Sequence, residues 1–239
     1  AMSYSRLFIT LTVLMLIFAA CRKQWNATEE DMSNYGWTLF ELASDQADFE
    51  EVEVWFINAT MEDTNYQDGY NGLGWTYGKL STFIIPDIEG NDVELEDAVK
   101  NFLKGEGKTQ NPRIEHNVSH DIRAGLTFAY SGLKNDSMAI IWGDLLISEL
   151  EENRETWAFP HEPVDSKGNY PTDYLDVHIT LALAKFVRST TVEDFDEVEK
   201  HVDAIITARN MEDFNSSYET IAGQQRLSNM IDSLQTILK

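Results

Sequence analysis

The chain has a single cysteine, Cys21, so no disulfide can form within it. Basic residues are also scarce: 18 Lys and Arg stand against 41 Asp and Glu, a formal charge of −23. So acidic a surface repels nucleic-acid phosphates and anionic membrane surfaces and argues against both as direct partners. The same charge keeps the chain soluble and favours basic ligands. No stretch sustains the period-two alternation of a half-buried strand. There is no Gly-x-Ser-x-Gly elbow and no phosphate-cradling glycine loop, and Cys21 lies in the N-terminal apolar segment, away from any Cys–His pair. Carboxylates abound, but none stands in a general acid–base frame. The expectation is a protein that is not an enzyme and needs no cofactor.

The N-terminus carries the first positive signal. Arg6 precedes an apolar run from Leu7 to Ala20, broken only by Thr10 and Thr12. That is short for a membrane span and has the form of a secretory signal. Phe18-Ala19-Ala20-Cys21 resembles the lipobox of bacterial lipoproteins, in which the cysteine is lipidated and begins the mature chain. Phe18 stands where that motif usually has leucine. The resemblance implies a signal peptide over 1–20, lipidation of Cys21 and a lipid-anchored tether over 21–34. The protein would then sit in the cell envelope, periplasmic or surface-exposed, held by about 0.8 kcal/mol per buried lipid methylene. An uncleaved anchor helix is the alternative. Removing 1–20 takes away Arg6 alone and leaves the chain one unit more acidic.

Apolar spacings of three and four predict an all-α chain, with helices near 29–43, 48–62, 67–81, 93–104, 118–132, 136–152, 171–188, 193–207 and 217–238. Val52, Trp55, Phe56 and Ala59 set one such face; Leu227, Ile231, Leu234 and Leu238 set another. Two interruptions stand out. Ser81 to Asp92 is longer than a tight turn needs, and its Phe83-Ile84-Ile85 is expected to tuck against the helices. Thr156 to Pro171 holds three prolines, which exclude a helix. It is expected to be an irregular connector, 156–170, dividing N-terminal repeats (35–155) from a C-terminal repeat and capping helix (171–239), with a single continuous array as the alternative.

Two segments share one frame. Tyr70 to Leu80 and Arg123 to Leu133 both read Gly-Leu-x-aromatic-x-Tyr-x-x-Leu. Leu73-Gly74-x-x-Tyr77 and, one helix earlier, Phe56 with Ala59 resemble the tetratricopeptide repeat, a helix-turn-helix unit. Leu126-Thr127-x-x-Tyr130 with Ala139 gives a further unit, Ala98 with Phe102 another second helix, and Leu181-Ala182 with Phe195 and Val198 a weaker one. The whole chain resembles bacterial envelope lipoproteins that carry such repeats and a Trp-x-Phe-x-His segment before the last one; Trp157, Phe159 and His161 stand there. The resemblance implies an αα-hairpin solenoid of three to four repeats with a C-terminal capping helix. Phe56, Ala59, Leu73, Gly74, Tyr77, Leu126 and Tyr130 would be its packing residues.

In that frame the first helices line a concave groove. Asp68, Asn71, Trp75 and Lys79 would line one unit, and Asp121, Ala124, Phe128 and Gly132 the next. Polar groups around Trp75 and Phe128, if exposed, would suit an extended peptide; the alternative, slightly favoured because aromatic stripes at helical spacing are usually packed, is that both rings are core. The functional expectation is a membrane-anchored scaffold that binds a protein or peptide, and Trp75→Ala with Asn71→Ala is expected to weaken capture without unfolding. The alternative is a structural subunit that self-associates through its repeats. His116 and His120 have a metal-ligand spacing, but no zinc-protease glutamate follows, and no metal is expected. His161, Glu162 and Asp165, or Asp173, Asp176 and His178, are read as solvated loop charges. Asn26, Asn58, Asn117, Asn135 and Asn215 begin Asn-x-Ser/Thr triplets, read as mostly chance.

Overall fold

The computed structural model describes residues 27–83, 92–166, 168, 170–211 and 220–238. The signal segment, Cys21, Asn26, Asn215 and residues 84–91 lie outside the described residues.

The described residues form nine α-helices. They are α1 (Glu29–Leu42), α2 (Gln46–Glu62), α3 (Gln67–Leu80), α4 (Val93–Glu106), α5 (Val118–Gly132), α6 (Asp136–Asn153), α7 (Tyr174–Arg188), α8 (Val192–Ala208) and α9 (Ile221–Leu238). A 3-10 turn, Ser81–Phe83, follows α3. Short polar side chains start most of them by accepting an otherwise unpaired backbone N–H. Thr28, Asp173 and Thr191 form reciprocal capping boxes, while Asp45, Asp92, Asn117 and Asn135 cap alone. Each such cap stabilises its helix by about 1 kcal/mol.

Successive helices pack as neighbours throughout, and α1, α3, α5 and α7 also touch in that order. Rings from the even helices fit against bare backbone on the odd ones. A Cβ at Gly72 would lie 2.2 Å from the Phe56 ring, and one at Gly125 would lie 2.2 Å from Phe102. Phe56 and Phe102 are fully buried, so these glycines are set by close approach rather than by backbone angle. Ala59, Leu73 and Leu126 are buried beside them, while Tyr77 and Tyr130 pack from the edge. The Tyr77 hydroxyl reaches out to Glu53 at 2.5 Å.

Two apolar cores result. The first runs from Trp37 and Phe40 through Trp75 and Phe102 to Val177 and Leu181. The second joins Leu175 and Ile179 to Val198, Ile205, Leu227, Ile231 and Leu234. Helix α7 therefore has two apolar faces, one for each core. Helix α9 packs on α7 and α8, and each of its buried Leu and Ile side chains contributes roughly 1.5–3 kcal/mol.

Trp157 and Phe159 of the segment 156–170 share a core with Trp37 and with Leu181 of α7. Two expected bounds change. Helix α7 begins at Tyr174 rather than 171, because Asp173 caps it. Residues 29–34, expected within the tether, lie in α1, which begins at Glu29, and Ser33 is buried.

Candidate functional site

Asp68 lies in the first turn of α3, four residues before Gly72; Asp121 lies in the first turn of α5, four residues before Gly125. Both are buried and both accept an indole N–H. Trp37 Nε1 of α1 donates to Asp68 Oδ2 at 2.9 Å, and Trp157 Nε1 donates to Asp121 Oδ1 at 2.8 Å. Ser33 adds a 2.5 Å hydrogen bond to Asp68. Burial pushes the Asp68 carboxyl up, against these donors.

Trp157 begins a strap that crosses the face formed by α5, α3 and α1. The Phe159 ring stacks on Trp75 of α3, centroids 4.0 Å apart. The His161 ring stacks on Trp37 of α1 at 3.7 Å and 3°. Lys79 Nζ then meets Glu162 Oε1 at 2.5 Å. The chain makes a bridge at Ala158 and turns at 160–161, and Trp157, Phe159 and His161 dock one helix each. The other edge of the strap is held by Phe159 N donating to Thr172 O and Tyr174 N donating to Trp157 O, both at 2.9 Å. Pro160 and Pro163 keep the segment out of a helix.

The histidines at this face differ in charge preference. Burial and the nearby His116 hold His161 down at about 3, so its ring is neutral; its 3.6 Å approach to Glu41 is therefore not an ion pair at neutral pH. Burial works against a charged His116 as well, but the carboxylates of Asp121 and Asp68 outweigh it and its pKa is raised. His116 Nε2 lies 3.0 Å from Asp121 Oδ2, an ion-pair distance without hydrogen-bond alignment.

The groove residues named from the sequence do come together, but not as an open groove. Asp68, Asn71 and Trp75 are 3%, 0% and 8% exposed, because the strap and the neighbouring helix cover them. Ala124 and Asp121 are likewise buried. Lys79 and Phe128 remain partly exposed, and Gly132 is exposed. Trp75→Ala with Asn71→Ala therefore removes core packing and is not a clean test of binding. Trp37 was not among the named residues, and neither were Trp157, Phe159 and His161 as groove occupants; their i, i+2, i+4 spacing beside Pro160 and Pro163 was the available signal.

His116 and His120 do not converge. His116 precedes the Asn117 cap and faces Asp121, while His120 faces Glu149 at 3.3 Å, beside the ion pairs of Arg123 with Glu106 and Glu149. Among the described residues no group of three His, Cys, Asp or Glu is placed to hold a metal ion, and no helix is long and apolar enough to cross a membrane. A second polar pair lies between α7 and α8, where His178 Nδ1 and His201 Nδ1 approach to 2.9 Å.

The face can thus hold an extended segment through aromatic platforms and buried carboxylate acceptors. Comparison with protein-family models, with curated proteins and with solved structures gives no match.

Proposed function

We propose that this chain is an exported, lipid-anchored scaffold of the cell envelope that binds a protein or peptide partner, without enzymatic activity. In this reading its helices are tetratricopeptide-like hairpins, three to four repeats closed by α9, and Cys21 carries the lipid. The observation that carries the reading is the strap: Trp157, Phe159 and His161 of one irregular segment are each received by one of α5, α3 and α1. A partner segment would be received in the same way. Since the strap holds the centre of the face, a partner takes the flank where Lys79 and Phe128 stay partly exposed.

The test is capture from envelope extract by the chain from Lys23 onward. Lys79→Glu combined with Glu162→Lys keeps an ion pair across the strap while reversing the charge at the flank, and it should abolish capture of the partner taken by wild type. Equal capture by both chains sinks the groove. Separately, Cys21→Ser should move the full chain from the membrane fraction to the soluble one, and retention at the membrane defeats the lipid anchor.

Self-assembly is the second reading. It is favoured by Val54 and Met61, both exposed and two turns apart on α2. Sedimentation separates the two: a monomer supports the scaffold, and concentration-dependent oligomers support assembly.

A further inference from the structure

The groove between α2 and α4, floored by α3, carries a local excess of positive charge in this acidic chain. From Lys100 to Arg113 the sequence has four basic residues and one acid, Glu106, which is paired with Arg123. Lys100 is paired with Asp97 at 3.1 Å. Lys104 and Lys108 instead converge on one ring: their Nζ atoms lie 5.8 and 5.6 Å from the Tyr70 centroid. Among the described residues neither has a carboxylate at ion-pair distance, although the chain has 41 acids to offer. Two like charges on one ring repel, and an anion between them relieves that repulsion. Tyr70 lines a cavity of about 540 Å³, within the size range of ligand clefts. Ile57 of α2 and Leu73 of α3 are its apolar lining, and Lys104 lines it from α4. None of these residues belongs to the strap or to the flank of Lys79 and Phe128.

We propose that this groove binds an extended acidic segment of another protein, with two carboxylates on either side of one leucine-sized side chain. Lys104 and Lys108 stand about one helical turn apart, near 6 Å along the axis. An extended chain advances about 6.6 Å every two residues. Alternate carboxylates of such a segment therefore meet the two lysines, and the side chain between them turns the other way, toward Ile57 and Leu73. Lys100, already held by Asp97, leaves a third carboxylate without a free cation. The net charge of −23 does not forbid this contact. Exposed charges more than about 8 Å apart are largely screened at physiological salt, so Lys104 and Lys108 set the local sign. The occupant is a different protein because this chain's described acidic runs, such as 149–152 and 193–199, are wound in helices and offer no extended segment. The groove is independent of the scaffold reading: capture at the Lys79 flank can fail while this binding holds, and the reverse.

The experiment titrates the blocked peptide acetyl-Gly-Glu-Leu-Glu-Leu-Gly-amide into the full chain and follows backbone amide cross-peaks in ¹H–¹⁵N spectra. Saturable shifts centred on Tyr70, Lys104 and Lys108 are expected, and they should weaken as salt rises. The same peptide with Gln for both Glu should bind about fivefold more weakly, the loss of two exposed ion pairs. Lys104→Gln with Lys108→Gln should lose affinity by the same factor, while Arg188→Gln with Lys200→Gln, an equal change of charge on α7 and α8, should leave it unchanged. Absence of saturable shifts in wild type overturns the proposal, as do shifts centred elsewhere, equal affinity for the Gln peptide or undiminished binding by the Lys104 and Lys108 double variant. If the same cross-peaks move with protein concentration before any peptide is added, the groove belongs to a second copy of the chain and the proposal is likewise overturned.

Discussion

The indole N–H of Trp157 donates to Asp121 Oδ1 at 2.8 Å, in the interior, across the start of α5. Among the described residues no other donor reaches that oxygen of Asp121, whereas Asp68 Oδ2 is shared between Trp37 and Ser33. Trp157→Phe keeps the ring and removes the donor. It should destabilise the chain by about 1.5–3 kcal/mol, the cost of leaving a charge-assisted acceptor unpaired. Trp37→Phe should cost less, because Ser33 remains. Urea midpoints with unchanged m-values measure both, and the reverse order refutes the pairing.

Phe159 is fully buried against Trp75 although it belongs to an irregular connector. Phe159→Ala should cost about 3–5 kcal/mol, as for a core helix residue. It should also free the strap from the helices, which limited proteolysis between 160 and 170 would register. Val164→Ala, on the exposed side of the same segment, should change stability by less than about 0.5 kcal/mol.

Two glycines of α3 should respond in opposite directions. Gly72→Ala drives a Cβ into the Phe56 ring at 2.2 Å and should destabilise by about 1–3 kcal/mol. Gly78→Ala meets open space and should stabilise by about 0.4–1 kcal/mol, through helix propensity and a less flexible unfolded chain. Thermal unfolding of the two variants is sufficient, and a Gly78→Ala chain less stable than wild type contradicts the geometry.

Acid should weaken the α7–α8 hairpin. Burial, with Lys185 next, holds His178 at about 4, and burial, Lys185, His178 and Lys200 hold His201 at about 3. Both are depressed below the unfolded value of 6.5, so the unfolded chain binds more protons as pH falls through 6.5. Stability is therefore present above pH 6.5 and is lost toward pH 4; at pH 5 each histidine accounts for a loss of about 2 kcal/mol. Asp176, which burial raises to about 6, acts in the opposite direction, as do the raised Asp68, Asp173 and His116. The mutant difference isolates the pair: His178→Leu with His201→Leu should flatten the fall between pH 7 and pH 5. An unchanged slope would show that these rings do not titrate as described.

Local chemistry made most helices legible. Asn117 and Gly132 bracket 118–132, and the helix occupies those residues. Asp173 and Asp176 form a capping box three residues apart, and the expected start at 171 overlooked it although the signal was in the sequence. The placement of the strap was not legible. Nothing near Phe159 in the chain names Trp75 as its partner; that pairing depends on how α3 and the segment meet in space. The choice between Trp75 as groove anchor and Trp75 as core was open in the sequence for the same reason, and its burial is that of a core residue. A frame that lists concave positions does not say whether the chain itself fills them, whereas Phe56 and Ala59 are packing positions whichever segment covers the face.

The stacking of His161 on Trp37 couples the two ends of the first core in time as well as in space. A ribosome or export channel delivers Trp37 long before it delivers His161, so the leading hairpin emerges with an uncovered indole and a carboxylate still open to water. Its final burial waits for the last third of the chain, and truncations ending before residue 157 should leave a sticky, incompletely closed N-terminal half.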